Sequence, residues 1–409
     1  GAWVPPRMAL VGALLIVTHP GFTGSGGNFF GWFDLTNPAL PVWNAGNLTG
    51  AYAFTTVPTA VAQFSGRAYY ITNVPAQPAV VFSDALNAIN VTNANQILTF
   101  GDNAVLTALA GLPLFNQLGG VIQSLIVFKG VTNVYQITGD AITNNLAVNS
   151  LNIATGTLAP ESIAPTPKGL FFASPEGIRY IDFYAKVSDP IGFDGNGVTS
   201  PFAQSVVPSR ISAACNGSLY RVTTQNGGIP STPQQELWYD MTRQVWSGPH
   251  TSTCNQIQPW RGTFIIAPIT QLAKLYQSDP IQTNTSTYTE FGAALNWIWQ
   301  TPLLPDTDEL VNVCMTEATL DLAFAPMATY SCFFSDQNGA LVDSLTVSST
   351  GTATIWGSFT WGIGLWGGAA NMLAPIRMPW HFPIVFARGS YQAQGASAQQ
   401  VRIGALHMR

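Results

Sequence analysis

Residues 169–182 read Gly169-Leu-Phe-Phe-Ala-Ser-Pro-Glu-Gly-Ile-Arg-Tyr-Ile-Asp182, and the fold turns on this stretch. Leu170–Ala173 is an apolar run too short for a helix. Ser174-Pro-Glu-Gly177 then supplies a proline that presets φ and a glycine free to take positive φ. Ile178–Ile181 follows with an aromatic residue among alternating neighbours. The pattern is a buried strand, a tight turn and an aromatic-bearing strand.

The same grammar recurs on both sides. Toward the N-terminus lie Ser124–Phe128, Lys129-Gly130 and Asn133–Ile137. Before these come Ala60–Phe64, Ser65-Gly66-Arg67, Ala68–Ile71 and Ala79–Ser83. The earliest unit is Met8–Val17, Phe29–Leu35 and Pro41-Val-Trp43. Toward the C-terminus lie Ser218–Val222 with Glu236–Asp240 and Gln244–Trp246, then Gly262–Ile266 with Ala273–Gln277. Turn glycines Gly130, Gly177, Gly217 and Gly262 are 47, 40 and 45 residues apart, which matches the length of a four-stranded propeller blade. One such sheet cannot bury both faces, whereas radial stacking of several does. Six blades over residues 8 to about 285 are therefore expected. Helical periodicity is nearly absent, and only Leu106–Leu118 and Gln271–Leu275 suggest a helical turn.

After residue 290 the texture changes. Asn296-Trp-Ile-Trp-Gln-Thr-Pro302 leads into alternating strands at Glu309–Met315 and Leu320–Ala325, a hairpin around Ser335-Asp-Gln-Asn-Gly339, and strands at Ile384–Ala387 and Gln400–Ala405. Between them lies Trp356-Gly-Ser-Phe-Thr-Trp361-Gly-Ile-Gly-Leu-Trp366-Gly-Gly368. The fold class is all-β: a propeller over 1–290 and a β-sandwich-like domain over 291–409.

Charged residues make up 9% of the chain, against roughly 25% in an average soluble protein. A polar but uncharged surface suits a subunit covered by neighbours better than a free monomer. The net charge is −5, and the four lysines (129, 168, 186, 274) and eleven arginines form no cluster. Tight binding to nucleic acid, which needs clustered cations, is not expected, while a surface that lets nucleic acid slide past remains open. Cys215, Cys254, Cys314 and Cys332 include no C-x-x-C, so neutral buried thiols of a reducing compartment are expected. The apolar run Met8–Val17 falls short of the roughly 20 residues of a membrane span, and no small-residue cleavage site follows it. It reads as one buried first strand. The chain begins at Gly1 rather than Met, so a preceding segment is expected.

Searching for chemistry finds little. His19, His250, His381 and His407 are isolated, with no metal-ligand spacing. Asp194-Gly-Asn196-Gly197 imitates a calcium loop, but position 12 of that count is Ser205. No G-x-S-x-G occurs, and Gly24-Ser-Gly26-Gly27 lacks the helix and lysine of a phosphate loop. A glycoside hydrolase needs two facing carboxylates, for which Asp182, Asp189, Asp194, Asp240 and Asp279 are the candidates. Asp182 and Asp240 each end an aromatic strand, where a carboxylate caps a turn. The sialidase-type S-x-D-x-G-x-x-W box is imitated at Ser335-Asp336-Gln337-Asn338-Gly339, with the Asp one place early and no Trp. The N-x-[ST] triplets at Asn47, Asn90, Asn216 and Asn284 fit chance in an Asn/Thr-rich chain. Trp356, Trp361 and Trp366 recur every five residues, fitting neither a strand face nor a helix face, and read as a packed sandwich edge or a subunit contact rather than a sugar-binding groove. Catalytic, cofactor-binding and metal-binding residues are therefore expected to be none.

Three phrases carry a family likeness: Pro58-Thr-Ala-Val-Ala-Gln-Phe-Ser-Gly-Arg-Ala-Tyr-Tyr-Ile71, Ile126-Val-Phe-Lys-Gly130 with Tyr135-Gln-Ile-Thr-Gly-Asp140, and the opening stretch 169–182. They resemble the propeller of tail nozzle or tail-hub proteins of short-tailed bacteriophages, the tail tubular protein B or packaged-DNA stabilisation type. The Glu236–Gly248 and Trp299–Pro302 phrases and the Trp/Gly segment fit the same likeness, which thus covers most of the chain. It implies a virion protein assembled in the host cytoplasm, in a hexameric ring below the portal and adaptor, with a central passage for DNA. It implies no catalytic residue. A conduit that must not retard DNA is expected to be lined by uncharged and acidic residues. The alternatives are a trimeric receptor- or glycan-binding tail protein, in contact with the host surface or a tail fibre, and a propeller glycan hydrolase.

Overall fold

The computed structural model describes residues 5–75, 77–115, 120–139, 145–151, 153–191, 211–225, 234–252, 254–268, 274–278, 289–290, 293–301, 313–323, 329–348, 374–386, 389–397 and 402–408. The chain divides into two compact units, Gly1–Asp279 and Pro280–Arg409. Among the described residues all regular structure is strand, apart from two short 3₁₀ turns at Ser25–Gly27 and Pro160–Ser162.

Among the described residues the first unit holds six antiparallel sheets in chain order. The first is β1 (Arg7–Val11), β2 (Leu14–Thr18), β3 (Phe30–Asp34) and β4 (Val42–Gly46). After β5 (Thr49–Gly50), the second is β6 (Ala60–Phe64), β7 (Arg67–Val74), β8 (Gln77–Phe82) and, beyond β9 (Asn90–Val91), β10 (Ile97–Thr99). β5 and β9 pair in parallel and tie the first sheet's exit to the second sheet's loop. The third sheet is β11 (Ala108–Phe115), β12 (Val121–Lys129), β13 (Asn133–Thr138) and β14 (Ala147–Ser150); the fourth is β15 (Ala164–Thr166), β16 (Gly169–Ser174) and β17 (Gly177–Ile181). The fifth is β18 (Ser212–Cys215), β19 (Leu219–Gln225), β20 (Gln234–Asp240) and β21 (Val245–Ser252); the sixth is β22 (Cys254–Trp260), β23 (Thr263–Pro268) and β24 (Tyr276–Ser278).

Successive sheets share cores, and this makes them blades of a propeller. Phe30 and Ile16 meet Tyr70 and Val81 between sheets one and two. Tyr69 and Ile71 meet Leu125 and Val127 between two and three. Ile126 and Phe128 meet Leu170 and Phe172 between three and four, and Phe171 meets Tyr220 and Tyr239 between four and five. Neighbours in sequence, such as Tyr69 and Tyr70 or Phe171 and Phe172, thus enter different cores. A strand points alternate side chains to opposite faces, so one covered on both faces reads as a continuous apolar run. First strands pack on first strands, β1 on β6, β6 on β11, β15 on β18 and β18 on β22, and so surround the axis.

Four expectations need correction. Met8–Val17 is two strands, not one, because Gly12 at φ 58° turns the chain back between β1 and β2. Nor is it wholly buried, since Met8 and Leu10 are more than half exposed. Leu106–Leu118 holds the strand β11, not a helical turn: Ala108–Phe115 pairs along its length with Val121–Phe128. The evenly spaced glycines are of two kinds. Gly130 opens and Gly177 follows a second-to-third-strand turn, while Gly217 and Gly262 lie in a first-to-second-strand turn. The first strands begin at Arg7, Ala60, Ala108, Ala164, Ser212 and Cys254, so the true repeat is about 50 residues. Finally, the second unit starts before residue 290, since β25 (Thr289–Glu290) pairs with β26 (Ala293–Gln300).

The remaining strands of the second unit are β27 (Val313–Ala323), β28 (Thr329–Asp336), β29 (Leu341–Ser348), β30 (Ala374–Phe386), β31 (Gly389–Ser397) and β32 (Arg402–Met408). They form a five-stranded sheet, β25-β26-β31-β28-β29, and a three-stranded sheet, β30-β27-β32. Such a pair of antiparallel sheets is what a β-sandwich is made of. Cys332 opposite Ala393 and Phe334 opposite Tyr391 are buried on one face of the larger sheet.

Candidate functional site

The axis of a propeller is where its first strands converge, and three blades meet there. Arg7 opens β1, Glu161 sits in the 3₁₀ turn that precedes β15, and Gln256 lies on β22. Arg7 Nη1 is 2.6 Å from Glu161 Oε1, and Gln256 Nε2 donates to Glu161 Oε2 at 3.4 Å. The turn carrying Glu161 is fixed from several sides. Pro160 begins it, Ser162 Oγ donates to Ala159 O and accepts from the Ala173 amide, and the Tyr220 hydroxyl donates to Ser162 O. A register shift in the β22–β23 ladder between Cys254 and Gln256 re-aims the Gln256 side chain, as bulges do.

Electrostatics at this point is a contest. Burial raises the Glu161 carboxyl above its ordinary value, and the Arg7 charge and hydrogen bonds from Gln256 and Arg7 pull it back only in part. Burial likewise lowers Arg7, against the attraction of Glu161. Both groups are thus strained by desolvation and satisfied by one another. The cluster ties blades one, four and six together by an ion pair and one side-chain amide hydrogen bond. It pairs one carboxylate with one guanidinium and one side-chain amide, an arrangement suited to a latch.

A second polar cluster fills the junction of the fifth and sixth sheets. The Arg221 Nε pairs with Glu236 Oε1, which also accepts from Trp238 Nε1 at 2.6 Å; Cys254 Sγ lies 3.9 Å from Glu236 Oε2. The guanidinium carbon sits 4.9 Å from the Trp238 ring and 5.1 Å from the Phe264 ring, so the cation is sandwiched between two π faces. Side-chain exposures of 5% and 2% leave Arg221 and Glu236 no opening to a ligand. Lys129 is similarly enclosed: its ammonium donates to Phe100 O and, at 2.9 Å, to Asp102 O, and pairs with Asp102 Oδ1.

The carboxylates singled out in the sequence hold turns. Asp182 Oδ1 accepts from the amides of Tyr184 and Lys186. Asp240 Oδ1 accepts from Thr242 and Arg243, and these backbone bonds hold its carboxyl below the ordinary value. Asp336 Oδ1 accepts from Asn338 and Ala340 in the β28–β29 turn. Asp189 joins none of these clusters in a described bond, and Asp194 through Gly197, Ser205 and Asp279 lie outside the described residues. So do Trp356, Trp361 and Trp366, Asn284, and the side chains of Cys314, His250, His381 and His407. His19 Nδ1 accepts from the Gly21 amide. Asn47 staples Phe54 through both its oxygen and its nitrogen, and Asn216 caps Ser218 and Leu219. Cys215, Cys254 and Cys332 are buried thiols outside any disulfide. Among the described residues there is no group of three or more His, Cys, Asp or Glu able to hold a metal, and no helix long and apolar enough to cross a membrane.

No single residue pattern announced the axial cluster. Arg7, Glu161 and Gln256 stand far apart in sequence, and the only local hint is Pro160 beside an isolated acid.

The uncovered surface is more telling. On the first sheet, Met8 lies opposite Val17, Leu10 opposite Leu15, Leu15 opposite Phe33, and Phe33 opposite Trp43, so all share one face. That face is turned away from the core with sheet two, and Met8, Leu10 and Trp43 are 57%, 54% and 46% exposed. The Trp43 ring lies across Gly31, whose absent side chain makes room for it, and stacks near Phe22 and Phe33.

No family model matches the chain, and no curated protein matches it. Among solved structures, the chain is similar to the Bombyx mori GH32 β-fructofuranosidase BmSUC1, at 8% identity over 99% of this chain and 91% of that one, with a TM-score of 0.28. A glycoside hydrolase family 43 arabinoxylan arabinofuranohydrolase from Bacillus subtilis matches at 8% identity over 99% and 95%, with a TM-score of 0.25. The insecticidal delta-endotoxin Cry8Ea1 from Bacillus thuringiensis matches at 9% identity over 86% and 51%, with a TM-score of 0.20. Likenesses this distant carry no argument about what the chain does.

Proposed function

We propose that this chain is a structural subunit of the tail of a short-tailed bacteriophage, a nozzle or hub protein that assembles in the host cytoplasm into a hexameric ring beneath the adaptor and portal. In this reading it has no enzymatic activity and needs no cofactor. DNA passes through the hole of the ring, between subunits. The propeller's own axis does not serve, because Arg7 and Glu161 bridge it.

The observation that carries the reading is the part-exposed apolar face of the first sheet, with Met8, Leu10 and Trp43 open, in a chain with only 9% charged residues. A free monomer rarely leaves such a face in water, whereas a ring subunit covers it with a neighbour. The phrases at 58–71, 126–140 and 169–182 add the family likeness. Electron microscopy of the purified chain and of particles containing it tests the proposal. A six-fold ring at the tail is expected, and a three-fold spike or dispersed monomers would overturn it.

A further inference from the structure

We infer that Asn338-Gly339, at the tip of the hairpin between β28 and β29, is a self-modifying site, where Asn338 sheds its side-chain amide through a succinimide and becomes isoaspartate or aspartate. The inference goes beyond the ring reading and does not rest on it.

The hairpin selects this dipeptide for a conformational reason. Gly339 N donates to Asp336 O at 3.0 Å and Asp336 N to Ala340 O at 2.9 Å, which closes a loop of Gln337, Asn338 and Gly339. The last residue of such a loop takes the left-handed region, and Gly339 does so at φ 79°. Asp336 Oδ1 holds the loop from inside, accepting from the Asn338 and Ala340 amides. The Asn338 backbone is thus fixed, while its exposed side chain makes no hydrogen bond among the described residues. No atom beyond the chain neighbours comes within 4 Å of where a Gly339 side chain would begin, so this flank of the glycine is open.

Asn-Gly pairs begin at Asn196, Asn216, Asn226 and Asn338, and the first and third lie outside the described residues. Asn216 serves as an internal comparison. Its Oδ1 accepts from the Ser218 and Leu219 amides at 3.1 and 2.9 Å, and its Nδ2 donates to Gly262 O at 3.1 Å. Swinging its Cγ onto the Gly217 nitrogen would break these bonds, whereas Asn338 has none of the kind to break. Each glycine nitrogen donates one bond, Gly339 to Asp336 O and Gly217 to Cys215 Sγ at 3.3 Å, so the asparagine side chains make the difference.

The Gly339 nitrogen, once deprotonated, attacks Cγ of Asn338. An N–Cγ bond forms, the Cγ–Nδ2 bond breaks, and ammonia leaves with the proton that the glycine nitrogen gave up. Nucleophile and electrophile sit in adjacent residues, so the step is unimolecular. Water then opens the ring at either carbonyl. Cleaving the new N–Cγ bond gives aspartate, and cleaving the original N–C bond gives isoaspartate, with the main chain running through Cγ. Both products add a negative charge near Asp336, and isoaspartate also lengthens the loop backbone by one atom.

Ageing the folded full chain at neutral pH, followed by chymotryptic mapping, tests this. The peptide Ser335–Leu341 is expected to gain the mass of an amide-to-acid exchange, with isoaspartate among its products as read by an isoaspartyl methyltransferase. The peptide carrying Asn216 should convert more slowly by roughly tenfold or more. Asn338→Gln, whose longer side chain would have to close a larger ring, should keep its amide while its circular dichroism stays that of the parent. A parent peptide that keeps its amide, conversion to aspartate without isoaspartate, or equal rates at Asn338 and Asn216 would overturn the inference.

Discussion

Arg7 and Glu161 stand three blades apart in the propeller yet pair at 2.6 Å across its axis, with side chains 23% and 12% exposed. Breaking a buried pair leaves an uncompensated charge, whereas replacing both members by apolar groups is often neutral or better. Arg7→Ala or Glu161→Ala is expected to lower unfolding stability by roughly 2–4 kcal/mol. Arg7→Met with Glu161→Leu is expected to restore most of it. Urea titrations of the four species check this, and additive losses in the double variant would contradict it.

The same pair sets a pH dependence. Burial raises the folded-state value of Glu161 above the unfolded one. Its titration therefore favours the folded state most at pH below the unfolded value, and that contribution is lost as pH rises through the raised value. Asp240 runs the other way: its depressed carboxyl adds stability above the unfolded value and loses it as pH falls through the folded one. Against the parent, Glu161→Gln should remove a pH dependence that lies above the ordinary carboxylate value, and Asp240→Asn one that lies below it. Stability curves from pH 2 to 7 that shift in the same window for both variants would contradict the assignment.

Lys129 offers a sharper stability test. Its ammonium serves Phe100 O, Asp102 O and the Asp102 carboxylate, and its residue is fully buried. Lys129→Met keeps the stem but orphans the two carbonyls, for an expected loss of about 2–4 kcal/mol. Asp102, whose side chain is 70% exposed, should tolerate Asn with little loss, because solvent screens an exposed pair. Thermal melts giving equal losses for the two would show that the backbone contacts matter little.

Gly31 is expected to control the exposed face. A methyl group built there would meet the Trp43 ring at 2.2 Å. Gly31→Ala should therefore lift the ring off the sheet, red-shift the tryptophan emission and weaken assembly, with little change in strand content. Unchanged emission would show that the ring never rests there.

Most of the propeller was legible because its determinants are local. A strand covered on both faces writes an unbroken apolar run, as at Leu170–Ala173, and a turn writes Ser-Gly or Pro-Glu-Gly. What failed were cases in which a local pattern has two structural solutions. Met8–Val17 looks uniform, and only the positive φ at Gly12 divides it. Glycine spacing alone does not say which turn of a blade a glycine occupies. At the candidate site, Asp182 and Asp240 were readable as turn caps from their position after strands, and they serve as such; Asp336, in the expected hairpin, caps its turn in the same way. The axial latch was not readable, since its three members come from blades one, four and six and only the closed stack brings them together.

Low charge makes a prediction about the cargo. Without a cation cluster, the chain should bind duplex DNA more weakly than about 10⁻⁵ M at physiological salt, the weak end of non-specific binding. Fluorescence anisotropy measures this directly. Tighter, steeply salt-dependent binding would mean that arginines converge on one surface.

Native mass spectrometry of the purified assembly tests the central claim most directly, because the account makes the chain a ring subunit. A dominant species of six chains is predicted, dissociating when Met8 and Leu10 become serine. A stable monomer, or a trimer indifferent to that change, would contradict it.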